Sequence, residues 1–355
     1  MSRRAIRSAI VGAAAARLSY SLLRARPPGG AAKWTRTNHR GEPVTLLEGP
    51  AVAIGGVAGA LAAGGPARDQ LAMAIAGAGA AAFGGYDDLA GNGDSKGFRG
   101  HIGALAKGEL TTGAVKLAGI GAVGLAAAVI AGGSADGGAD RVVGRRAVTA
   151  ALADTLINAG LIAGSANLLN LFDLRPGRAA KVALIAGGLL APASASASAA
   201  PLAAAAALLP EDLGERAMLG DAGANALGAM LGTAAATSLS RPARLAALGV
   251  ITGLTASSEV VSFTKIIERT GPLRWLDMLG RRPAEAAQVP ETANQAPASQ
   301  TTFQHAPTDS AQDAAASGNG TAAGSGAGNS GTPDRDAAQA VGKHRAGTPP
   351  SAEAR

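Results

Sequence analysis

Apolar stretches of about bilayer length alternate along this chain with short polar, often basic, segments. Runs at 5–23, 48–65, 68–86, 113–132, 145–166, 180–196, 198–210, 222–239 and 243–262 each read as a helix. Most reach the roughly 17–25 residues that a bilayer requires. The 198–210 run, with Pro201 and Pro210, is the shortest. The first run follows Arg3 and Arg4 as a signal peptide would, but Arg24, Arg26 and Pro27-Pro28 follow it in place of a cleavage site, so it reads as a span. Ala and Gly outnumber Leu and Ile in these runs. Small residues insert weakly but let helices pack closely. A soluble Ala-rich helical protein is the competing reading. It is set aside because apolar runs of this length recur too often. The pattern predicts an all-α, polytopic membrane helix bundle of about nine transmembrane helices over residues 1–282.

Residues 283–355 break the pattern: Ala, Gly, Ser, Thr, Pro, Gln and charge, with almost no large apolar side chain. Such a segment buries too little surface to offset its ordering entropy, so a disordered tail is predicted.

Charge orients the bundle. Nine spans put segments 24–47, 87–112, 167–179, 211–221 and 263–282 on one face, which carries about twice as many Lys and Arg as the other. That face is predicted to be cytoplasmic, with the tail, in a plasma (inner) membrane. The net charge of +7 and the 3% aromatic content give basic segments without interleaved stacking side chains, so no nucleic-acid partner is expected. With no cysteine, disulfide and thiol chemistry are excluded.

The unusual polar groups gather on the predicted cytoplasmic face. In Met218-Leu-Gly-Asp-Ala-Gly-Ala-Asn-Ala-Leu-Gly228, Asp221 stands between two glycines at the mouth of a small-residue helix. It reads as a helix N-cap or as a ligand for a hard cation such as Mg²⁺. Asp87 and Asp88 end the third span, where a carboxylate pair can share a cation with a phosphate or supply a base. Asn167, Asn170 and Asp173 follow at three-residue intervals, which aims them to one side of a helix end. Glu259 and Ser262 close the ninth span, and a charge near a bilayer centre costs about 2–3.5 kcal/mol. Asp154, with Asn158 one turn on, lies in the outer half and reads as a helix–helix hydrogen bond. Ordinary helix ends account for each motif singly; their arrival on one face does not follow from capping alone.

As a set, these motifs resemble the polyprenyl-phosphate N-acetylhexosamine-1-phosphate transferases of glycosyltransferase family 4. That family includes phospho-N-acetylmuramoyl-pentapeptide transferase and the enzymes that load N-acetylglucosamine-1-phosphate onto a lipid carrier. The family's paired aspartates match Asp87 and Asp88, its Asn-x-x-Asn-x-x-Asp loop matches Asn167, Asn170 and Asp173, and its Gly-Asp-x-Gly matches Gly220, Asp221 and Gly223. Glu-x-x-Ser matches Glu259 and Ser262, and a basic-Gly-x-Pro element matches Arg40, Gly41 and Pro43. Asp94-Ser-Lys-Gly-Phe98 is similar to the family's lysine-glycine element. The resemblance spans residues 1–282 in the family's order. The chain departs from it where the family's second loop acid is Pro176, where an aromatic is Met218, and where a His-rich loop and a tenth span are missing.

The resemblance implies transfer of an amino-sugar-1-phosphate from a UDP-sugar to polyprenyl phosphate, releasing UMP, in cell-envelope biosynthesis. It implies Mg²⁺ on Asp221, catalytic roles for Asp87, Asp88 and Asp173, and substrate contacts from Arg40, Lys96, Arg99, Asn167, Asn170 and Glu259. The expected partners are polyprenyl phosphate, a UDP-amino sugar, the bilayer and a second copy in a homodimer. The alternative is a degenerate relative that binds lipid phosphate as a scaffold. A transporter would show internal repeats, which the sequence lacks.

Overall fold

The computed structural model describes residues 2–91, 111–132 and 145–283. Lys96 and Arg99, and the tail beyond Pro283, lie outside these residues. The protein is all-α. About 81% of the described chain is helical, in ten α-helices. They are α1 (Arg3–Ala25), α2 (Glu48–Ala62), α3 (Ala67–Ala90), α4 (Thr112–Gly132), α5 (Arg145–Phe172), α6 (Arg178–Leu213), α7 (Gly220–Ser238), α8 (Arg241–Ser258), α9 (Phe263–Arg269) and α10 (Gly271–Met278). One small sheet was not foreseen: β1 (Thr35–Thr37) pairs antiparallel with β2 (Pro43–Thr45). Its turn explains the Arg40-Gly41-x-Pro43 element. Asn38 Oδ1 accepts from the N–H groups of Arg40 and Glu42, both at 2.9 Å, and Gly41 takes φ +83°, a conformation that favours glycine.

The bundle is organised around α7, which is buried from Ala222 through Ala236. Its small residues permit this. A Cβ on Gly223 would lie 2.7 Å from Gly49 Cα, one on Gly228 2.3 Å from Ser165 O, and one on Gly232 2.6 Å from Leu161 O. Helix backbones thus meet almost directly, the mode of packing open to helices built from Gly and Ala. Several large apolar side chains point outward: Ile10, Leu152, Leu156, Val250 and, at 80% exposure, Leu189.

α6 merges the two predicted runs 180–196 and 198–210. It is not straight. Ser194 leaves helical geometry (φ −135°, ψ 25°), and a Cβ on Gly187 would lie 2.5 Å from Leu202. Fifteen residues of straight helix span about 22 Å, so the chain doubles back at Ser194. The flanking Pro192 cannot donate to the helical ladder, which favours a break here. Gly177 and Leu213, at the two ends of α6, are consequently neighbours.

Three helical segments among the described residues are long and apolar enough to cross a membrane: Thr112–Gly132, Val148–Phe172 and Arg178–Leu213. The pair α8 and α9, bent by 95° at its break, is apolar and long enough only when counted together as one broken span. The shortfall against nine has a compositional cause. α1 carries Arg3, Arg4, Arg7, Arg17 and Arg24, α2 has only 15 residues, and α7 is small-residue and interior. The ninth predicted run is also shorter than expected: α8 stops at Ser258, and Glu259 is its exposed C-cap.

Candidate functional site

Among the described residues, the connections of the bundle fall at two ends. At one, Ser2 meets Ser196 at 3.3 Å, and Arg4, Gly64, Asp69 and Thr237 line a common cleft. At the other, the β-hairpin, the ends of α3 and α5 and the start of α7 converge. Met218 N–H donates to Thr45 O at 2.9 Å, so the segment before α7 is strapped to β2. Asp87, Asp88, Asp173 and Asp221 all belong to this second end.

Asp88 is fixed by α7. Its Oδ1 accepts from Asp221 N–H at 3.0 Å and its Oδ2 from Ala222 N–H at 2.9 Å. The carboxylate that caps α7 therefore comes from α3, and Asp221 is a first-turn residue without the N-cap role that its position suggested. The approach is close because Gly84 has no side chain: a Cβ there would lie 2.3 Å from Asp221 O. Gly220, at φ +59°, turns the chain into α7 beneath Asp88. Arg36 also donates to the Asp88 carbonyl. Burial, then the Asp221 charge, push the Asp88 carboxyl up to about 7, against the two amide bonds that stabilise its anion.

Asp87 and Asp221 share Lys116. Its Nζ lies 2.7 Å from Asp87 Oδ2 and 2.7 Å from Asp221 Oδ2. Lys116 comes from α4 and is the one charged residue in that helix. In the sequence it stands inside an apolar run with no motif around it. A lone ammonium on an otherwise apolar helix was the available signal, because such a charge requires a partner. Burial raises Asp87, but its Lys116 bond brings it below the ordinary carboxylate range. Burial raises Asp221 despite the same lysine.

Asp173 follows α5, its N–H donating to Asn170 O at 3.1 Å. Burial and then the charges of Asp212, Asp221 and Asp88 push it well above its usual range. It lines a cavity of about 250 Å³ with Asp212, Pro176, Arg175, His39 and Met218. Asp212, another residue missed in the sequence, places a second acid beside Pro176, where the resemblance lacked one. Its Oδ2 is buried without a hydrogen-bond partner.

Of the remaining predicted residues, Asn170 reaches this group only through its carbonyl, and Arg40 only through Glu215, which lines the Asp173 cavity. Arg40 Nε pairs with Glu215 Oε1 at 2.9 Å, and Arg40 Nη2 donates to Arg282 O. Glu215 also holds Asn38 and adopts φ +55°, the one positive φ among described non-glycine residues. Asn167 and Asn170 lie on the last turns of α5, and Glu259 lies at the α8–α9 break. At the opposite end Asp154 pairs with Arg241 at 3.2 Å, and Asn158 accepts from Arg244 at 2.6 Å. These bonds tie α5 to α8.

The site does not suit Mg²⁺ as its side chains stand. Magnesium requires near-octahedral oxygens at about 2.0–2.1 Å. Here the oxygens of Asp87 and Asp221 converge on an ammonium, and both Asp88 oxygens are engaged by α7. Among the described residues no group of three or more His, Cys, Asp or Glu is placed to hold a metal. No protein-family model matches the chain, and no curated protein matches it.

Proposed function

We propose that the chain is a multi-pass protein of the plasma (inner) membrane that handles a polyprenyl phosphate and a UDP-amino sugar at this acidic end. In the proposed topology the halves of α6 count as two spans among nine, and the site and the tail face the cytoplasm. The observation that carries the reading is the meeting of Asp87, Asp88 and Asp221 with Lys116 across helices far apart in sequence.

The proposed reaction is attack by a lipid-phosphate oxygen on the sugar-bearing phosphorus of the UDP-sugar. The bridging P–O bond breaks, UMP leaves with the electron pair, and the lipid retains a diphosphate-linked sugar. Lys116 supplies positive charge next to the phosphates, while Asp87 and Asp221 aim it. Asp88 acts through α7, by setting the position of Asp221. The cavity holding Asp173 and Asp212 suits the nucleotide. An apolar groove of about 440 Å³, lined by Phe172, Ile185, Leu189, Leu254, Phe263 and Ile266, suits a lipid tail.

A second reading, a lipid-phosphate-binding scaffold without turnover, is favoured by one observation: Lys116 sits where the resemblance implies a metal. The deciding experiment measures UMP release from a panel of UDP-amino sugars with polyprenyl phosphate and the purified full chain. Release that requires both substrates supports transfer. Tight binding of polyprenyl phosphate with no UMP from any sugar supports the scaffold and sinks the transferase.

A further inference from the structure

The disagreement between the implied metal and the side chains present has a direct consequence. An ammonium and a divalent cation are alternatives at one position, because each needs the same carboxylate oxygens and each repels the other. Lys116 reaches both Asp87 Oδ2 and Asp221 Oδ2 at 2.7 Å, short charge-assisted contacts, and its side chain is 13% exposed. A divalent ion would have to evict it. Eviction leaves the ammonium to find a new partner on α4, which offers no other charged group. Nor does Asp88 stand free to recruit a metal, since its two oxygens cap α7.

We propose that Lys116 is a tethered cation standing in for the divalent metal, so that this chain binds its phosphate-bearing ligand without one. The inference rests on the phosphate-handling reading only in naming the ligand. The exclusion of a metal follows from the seated lysine. A lysine presents a compact point charge with three donors. Two of its contacts are made to the carboxylates, which leaves the ammonium a third donor to offer a phosphate oxygen.

The test uses the full chain in detergent, with Mn²⁺ as the probe and two readouts, Mn²⁺ binding by electron paramagnetic resonance and thermal melting with and without chelator. Wild type should bind no Mn²⁺ at this site at millimolar concentration, and its melting should be indifferent to chelator. Lys116→Met, which keeps the stem and deletes the charge, should gain a Mn²⁺ site and a Mn²⁺-dependent rise in melting temperature. Both gains should vanish in Lys116→Met with Asp221→Asn. Wild-type Mn²⁺ binding that Asp221→Asn abolishes overturns the proposal, and so does a folded Lys116→Met chain that ignores Mn²⁺. If Lys116→Met does not fold, the wild-type arm and Lys116→Gln decide. Neither readout requires UMP release, so a failure here is distinguishable from absence of the transferase reaction.

Discussion

The Asp88 carboxylate accepts the Ala222 N–H at 2.9 Å, although the two residues lie 134 positions apart. One side chain of α3 thereby satisfies orphan amides at the start of α7 and sets the height of the central helix in the bundle. Helix N-termini leave several N–H groups without partners, and a buried one must find an acceptor.

This bond makes a stability prediction. Asp88→Ala removes an acceptor from two buried amides and should cost about 1–3 kcal/mol. Asp221→Ala removes no cap and should cost less. Thermal melting of both variants checks the order; a larger loss for Asp221→Ala would return the capping role to Asp221.

Function should weigh the same residues in reverse. Asp221→Asn keeps the shape of the first turn of α7 but loses the charge that aims Lys116. Under the transferase reading, UMP release should fall by about a hundredfold or more, as when one electrostatic contact to a transition state is lost. Melting should barely move. Full turnover in Asp221→Asn would remove this carboxylate from the chemistry.

Packing of α7 predicts a contrast between glycines. Gly228→Ala puts a methyl 2.3 Å from Ser165 O, and the backbone of α5 must yield. A loss of about 1–3 kcal/mol is expected for such overpacking. Gly253, on α8, has nothing within 4 Å of a would-be Cβ. Gly253→Ala should be neutral or stabilising by up to about 1 kcal/mol, the helix-propensity difference. Equal effects at the two sites would contradict the buried position of α7.

The segment after α8 docks through a buried pair. Arg178 Nε and Nη2 meet Asp277 Oδ1 and Oδ2 at 2.7 and 3.1 Å. Asp277→Ala strands Arg178 and also Arg281, whose Nη1 meets Asp277 Oδ2 at 3.1 Å, and should cost about 3–5 kcal/mol. Replacement of Asp277 and Arg178 together by apolar side chains should recover the part that belongs to Arg178. Additive losses in the double variant would show that the pair is not a unit.

Membrane topology is open to cysteine labelling, since the chain has no cysteine of its own. Ser240 and Lys265 are exposed and lie at opposite ends of α8 and α9. Under the proposed orientation Ser240→Cys should react with an impermeant thiol reagent in intact cells, and Lys265→Cys should not. The opposite labelling would invert the orientation.

Much of this was legible in one dimension. Helices emerge where apolar Ala-, Gly- and Leu-rich runs are uninterrupted, and seven of the nine predicted runs correspond one to one with α1–α5, α7 and α8. The Asp87-Asp88 pair and the Gly220-Asp221-x-Gly223 turn could be singled out because acids and glycines are conspicuous in such runs. Local chemistry determines those features: periodicity, length, and the cost of a charge beside apolar neighbours.

What the bonds of Asp88, Lys116 and Asp212 do was decided only by tertiary structure. Asp88 caps a helix that starts more than a hundred residues later, so no local pattern could reveal the role. Lys116 is a lone charge in α4, and its role is invisible in sequence because the two carboxylates that neutralise it belong to α3 and α7. The reversal at Ser194 brings the ends of α6 together and carries Asp212 to the cavity of Asp173. Small residues make all three possible. They let backbones touch, and at that distance a side chain on one helix reaches the amides and charges of the next.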